Sequence, residues 1–91
     1  MHDPNSPTWP YVLAFAEVME EKLAANRHKG DREGWRKESV EWLLGRLRVE
    51  VEELAAAEPD EQVAEAADVA NFCMFIADNC GALDGKGEGD A

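Results

Sequence analysis

The chain has 91 residues, with twenty acidic side chains against nine Lys and Arg, a formal net charge of −11 and a pI near 4.4. Such a surface repels phosphate backbones and excludes duplex nucleic acid as a partner. The length suits one domain with a modest core, and the longest apolar stretch, Val69–Ala77, has nine residues where a membrane span requires roughly 20, so no membrane partner is expected.

Residues 1–8 form a proline-containing lead-in with no secretory pattern, and a cytoplasmic protein is expected. Pro10 suits the first turn of a helix, where its missing N–H is not needed. Helix A is predicted over about 10–26, with Val12, Phe15, Ala16, Met19 and Leu23 at helical spacing and acids on the remaining circumference. The segment Asn26–Trp35 breaks this pattern with two glycines and dense charge, and is read as a loop.

Helix B is predicted over about 36–57, carried by Leu43, Leu44, Leu47, Val51 and Leu54. Pro59 then opens helix C, about 59–79, with Asp60 and Glu61 in the first turn, where acids favour the positive end of the helix dipole, and Gly81 as a C-terminal stop. Beyond Asp68, helix C is apolar in nearly every direction, which implies burial on several sides. In so short a chain, a second copy supplies that burial most simply. The expected architecture is therefore all-α: a three-helix chain over residues 1–80, assembling into helical bundles as a homo-oligomer, followed by a flexible tail at 81–91. Cys73 and Cys80 are seven residues apart on one helix, about 10 Å, too far for a bridge, and are expected as reduced, buried thiols.

The chemistry lies in two carboxylate pairs. Glu50 and Glu53 on helix B share a face at i,i+3 spacing, as do Glu65 and Asp68 on helix C. If the two helices fold back about Pro59, Glu53 and Glu65 are equidistant from the bend, and so are Glu50 and Asp68. The four acids then meet at matching heights. The face of helix C continues into Phe72 and Ile76, so water cannot be relied on to screen them, and burying such charges uncompensated costs several kcal/mol each. Oxygen donors without a nearby His or Cys suit a hard divalent ion, Mg2+ or alternatively Mn2+. Against this stands the frequency of acids here, over a fifth of the chain, since an ExxE spacing arises readily on solvated helices.

At these residues the sequence resembles a family. Glu50–Glu53, "EVEE", followed by Glu65–Asp68, "EAAD", within "RLRVEVEELAAA" and "EAADVANF", is similar to the ExxE…ExxD signature of the MazG-like, all-α nucleoside triphosphate pyrophosphatases. The resemblance covers about residues 10–80. It implies Mg2+ held by Glu50, Glu53, Glu65 and Asp68, hydrolysis of an NTP or dNTP to the monophosphate and pyrophosphate, and a homodimer or dimer of dimers. The eleven residues between the pairs lie at the short end of the family's range and imply a tight hairpin.

A triphosphate also needs cations and a place for its base. Arg27, Lys29, Arg32, Arg36 and Lys37 fall within eleven positions of the loop between helices A and B. Lys29, beside Gly30, together with Arg32 and Arg36, can meet phosphate, arginine through a bidentate fork, although a solvated loop balancing nearby acids would look the same. Trp35 can stack on a base or anchor a helix start. Asn71, one turn past Asp68, can read a base or sugar edge or bond within the bundle. Glu53 is the first choice of general base. The competing expectation is a non-enzymatic acidic helical protein that binds a basic partner or mimics nucleic acid.

Overall fold

The computed structural model describes residues 9–84 of the chain. Among them there is no strand, and the all-α expectation holds. There are four helices rather than three: α1 (Pro10–Ala25), α2 (Arg32–Arg36), α3 (Val40–Ala56) and α4 (Gln62–Asn79), with single 3-10 turns at Arg27–Lys29 and Pro59–Glu61. The added helix, α2, comes from the segment read as a loop. Asp31 starts it, accepting a hydrogen bond from the Arg32 backbone N–H at 2.8 Å. At its C-terminal end the Asn79 side-chain amide lies within bonding distance of the Trp35 and Arg36 oxygens and of the Glu38 oxygen just beyond the helix. A five-residue helix is too short to persist alone, so this tertiary partner is what closes it.

Helix B thus begins later than expected. Ser39 is the N-cap of α3, accepting from the Trp42 N–H at 3.0 Å. Helix C begins as a 3-10 turn at Pro59 before α4 proper. The C-terminal stop is as expected: Gly81 takes φ 81°, and the Gly81 and Ala82 N–H groups donate to the Asp78 and Ala77 carbonyls. Of the segment expected as a tail, residues 81–84 form a turn, while 85–91, like the lead-in at 1–8, lie outside the described residues.

α4 is the central helix, packed against α1, α2 and α3. Lys22 meets Asp68, and Asn71 donates to the Met19 carbonyl, so α1 runs antiparallel to α4. Arg46, one turn before Glu50, lies over Phe72, one turn after Asp68, which is the antiparallel register expected for a hairpin about Pro59. This chain buries little. Leu43 and Ala67 are the fully buried apolar residues, and three polar ones join them: Glu50, Asn71 and Asp78.

The inward face of α3 runs through Leu43, Leu47, Glu50 and Leu54. Val51, expected in that stripe, is exposed because Glu50 holds the inward position at its turn. Val12 of α1 is also exposed, as are Tyr11 and Leu13. Cys73, on α4, and Cys80, just past its end, are both free and exposed, not buried. Among the described residues no helix is long and apolar enough to cross a membrane.

Candidate metal centre and adjoining pocket

Glu50, from α3, meets Glu65 and Asp68, from α4, each offering one carboxylate oxygen within 4.8 Å of the others. Glu50 is 7 % exposed. Its carboxyl is pushed above the ordinary glutamate value, first by burial, then by the charges of Glu53 and Asp68 and by a hydrogen bond with Glu53, with Arg46 opposing. Glu53 stands beside Glu50 but outside the converging three, on the exposed side of α3. The site is thus three acids in close convergence and a fourth at the rim, coupled through Glu50.

Two cations accompany them. Lys22 of α1 places Nζ 3.3 Å from Asp68 Oδ2, and Arg46 of α3 places Nη2 3.2 Å from Glu50 Oε2. Their charge does not satisfy every oxygen. Glu65 Oε2 and Asn71 Oδ1 are buried with no hydrogen-bond partner among the described residues. An unmade bond at a buried acceptor costs on the order of 1–3 kcal/mol, so one such atom in the acid cluster, Glu65 Oε2, and one on a residue lining the adjoining pocket, Asn71 Oδ1, mark places suited to a ligand. An all-oxygen donor set with an unpartnered carboxylate oxygen fits Mg2+ or Mn2+.

A pocket of about 420 Å³ opens over this centre. Lys22, Lys29, Trp35, Glu50, Asp68 and Asn71 all line it, together with Trp42, Phe72 and Phe75. Three expected ligand-contacting residues, Lys29, Trp35 and Asn71, are therefore brought to the same cavity as Glu50 and Asp68, while Glu53 and Glu65 do not line it. Trp35 is fixed from two sides: it stacks on Phe75 with centroids 4.1 Å apart, and its Nε1–H donates to Asp78 Oδ2 at 2.8 Å. It is a packing anchor and a pocket wall at once.

Arg32 and Arg36 do not line that pocket. Arg32 forks onto Asp78, Nε to Oδ2 at 2.8 Å and Nη2 to Oδ1 at 2.6 Å, and both arginines meet Asp84. Asp78 lies ten residues beyond Asp68 on α4, about 15 Å along the axis, so this basic cluster belongs to the far end of the helix. There the Arg32 hydrogen bond lowers the Asp78 pKa from 3.8 to about 2 against the opposing effect of burial, with smaller help from Trp35 and from the Arg32 and Arg36 charges.

Three participants escaped the sequence reading. Arg46 had a signal, its i,i+4 spacing to Glu50. Lys22 and Asp78 had none, since their partners are 46 residues away in the chain. Comparisons with family models, with curated proteins and with solved structures find no match for this chain.

Proposed function

We propose that the chain is a Mg2+-dependent nucleoside triphosphate pyrophosphohydrolase that converts an NTP or dNTP to its monophosphate and pyrophosphate. The observation that carries this reading is the convergence of Glu50, Glu65 and Asp68 within 4.8 Å, two of which, Glu50 and Asp68, line a pocket that also presents ammonium groups and aromatic walls. The resemblance of "EVEE" and "EAAD" to the ExxE…ExxD signature supports it independently.

In this reading Glu50, Glu65 and Asp68 hold the ion, with Glu53 completing the set from the rim. A bound Mg2+ supplies charge neutralisation at the phosphoryl oxygens and acidifies a water. Lys29 meets the pyrophosphate end, and Trp35, Trp42 and Phe75 bound the space for the base. Glu53 takes the proton of the water that attacks the α-phosphorus, and the bond to the bridging oxygen breaks as pyrophosphate leaves. Arg32 and Arg36, tied to Asp78 and Asp84, support the pocket by holding α2 and its Trp35 in place.

A homodimer or dimer of dimers belongs to the same reading. Tyr11, Val12 and Leu13 on α1 and Val49 and Val51 on α3 are exposed apolar side chains that a second copy would cover. Free, exposed cysteines fit a reducing compartment such as the cytoplasm.

The test is incubation with a panel of NTPs and dNTPs plus Mg2+, reading pyrophosphate. The expected result is release from at least one nucleotide that stops with EDTA and falls at least a hundredfold in Glu50→Gln and Glu53→Gln, as for loss of a metal ligand or a general base. No turnover of any nucleotide would sink the proposal.

A further inference from the structure

Lys22 stands in an unusual position. It is the contribution of α1 to the acid centre, its Nζ lies 3.3 Å from Asp68 Oδ2, and it lines the pocket above that centre. Both partners are largely withdrawn from water, with side chains 30 % and 18 % exposed. A divalent ion on either oxygen of Asp68 would sit about 2.1 Å from that oxygen and so within roughly 8 Å of the ammonium. That is no more than one Debye length at physiological ionic strength, with little solvent between, so the two cations repel almost unscreened.

Arg46, the other resident cation, is not equally free to leave. It pairs with Glu50 along its own helix and lies over the Phe72 ring at 5.9 Å, two contacts that keep it in place. Lys22 has one ion pair among the described residues, at the end of a four-carbon stem. The charges are compatible with this. Counting Glu53 at the rim, four carboxylates face two charges from Lys22 and Arg46, so a divalent ion by itself completes the balance, and a Lys22 ammonium displaced from Asp68 is left to meet an added anion.

We propose that Lys22 is an exchangeable counter-ion: it neutralises Asp68 in the metal-free chain, gives up that carboxylate to the divalent ion, and carries its ammonium to the phosphates of the incoming nucleotide. The inference rests on the functional reading above and adds to it an order of events. The metal, alone or already on the nucleotide, must reach Asp68 for Lys22 to become available. Lys22 is thereby a phosphate-binding residue supplied by α1, distinct from Lys29 of the following turn.

The exchange makes two opposite expectations for one substitution. In Lys22→Met, which keeps the stem and removes the charge, Mn2+ alone should bind roughly tenfold tighter by titration calorimetry, because its competitor for Asp68 is gone. The same variant should bind a non-hydrolysable nucleoside triphosphate analogue with Mg2+ roughly tenfold more weakly and show a raised KM, and Lys22→Arg should recover most of that loss. A merely structural Lys22 would weaken both ligands together, and that result overturns the proposal, as does an unchanged Mn2+ affinity.

A second measurement needs no variant. Amine labelling of the wild-type chain, read residue by residue by mass spectrometry, should rise at Lys22 when Mn2+ is added and fall again when the nucleotide analogue follows. Labelling at Lys22 that ignores Mn2+ overturns the exchange. If Mn2+ binds with the expected ordering but neither protein binds any nucleotide, the functional reading itself fails and takes the phosphate half of the exchange with it. If nucleotide binds wild type and Lys22→Met equally, the functional reading stands and the exchange alone is refuted.

Discussion

Replacing Asp78 by Asn tests whether the far end of α4 is held together as the geometry implies. Asp78 is 2 % exposed and accepts three short hydrogen bonds, two from the Arg32 guanidinium and one from the Trp35 indole. Asn is a near-isostere of the protonated acid, so the ionisation shift measures most of the cost. The carboxyl titrates at about 2 in the fold against an ordinary 3.8, and that gap corresponds to about 2 kcal/mol at neutral pH. The larger loss of about 3–5 kcal/mol seen when a buried pair is broken does not apply, because the Arg32 side chain is 41 % exposed and can turn to water.

The sign of the pH dependence follows from the depressed value. The stabilisation is complete above about pH 4 and is lost as pH falls through 2, with about half of it gone at pH 3. Urea unfolding followed by circular dichroism should therefore show wild type about 2 kcal/mol more stable than Asp78→Asn at pH 7 and only about 1 kcal/mol more stable at pH 3. In a domain of this size the neutral-pH difference is roughly 10 °C or more in Tm. A difference below about 0.5 kcal/mol at pH 7, or one of equal size at both pH values, would refute the reasoning that a buried, ionised Asp78 anchors α2.

Two further outcomes are expected. Glu50→Gln should make the metal-free chain more stable at pH 7, since burial and the neighbouring charges of Glu53 and Asp68 hold the Glu50 carboxyl above its ordinary value, so ionising it destabilises the fold; the gain should fade toward pH 4.5, and the rise in melting temperature that Mg2+ gives wild type should be absent. A variant less stable than wild type at pH 7 yet still stabilised by Mg2+ would contradict both halves. Leu43→Ala removes the one large side chain that is wholly buried among the described residues and should cost about 3 kcal/mol in chemical denaturation, whereas Val51→Ala, on an exposed position of the same helix, should cost under about 1 kcal/mol.

What the sequence revealed and what it hid divide along one physical line. The three long helices were legible because Pro10, Pro59 and Gly81 punctuate them and leucines recur at helical spacing between. The register of α3 on α4 was legible because a short hairpin about Pro59 leaves few ways to pair its arms, which sets Glu50 against Asp68. α2 was hidden: a segment rich in charge and glycine has no helical pattern of its own and is helical here because Asp31 caps its start and Asn79 its end. The roles of Arg32 and Arg36 were hidden for the same reason, since the sequence shows that cations are present but not that Asp78 and Asp84 have already claimed them.

The positions where pattern and structure disagree also say how this small interior is used. A stripe through Leu43, Leu47 and Leu54 invites an apolar residue at 50, and Val51 is the nearest one, yet the buried position belongs to Glu50 and the valine faces out. Burying a carboxylate there costs stability, as its raised pKa records, and two buried acceptors on α4, Glu65 Oε2 and Asn71 Oδ1, go without a hydrogen-bond partner among the described residues. A chain whose described residues include only Leu43 and Ala67 as fully buried apolar ones has little stability to spare for such groups. Polar groups unsatisfied in the interior of so small a core are best accounted for by a ligand that satisfies them, and the inward glutamate is therefore a stronger sign of a binding site than the ExxE and ExxD spacings, which solvated helices also show.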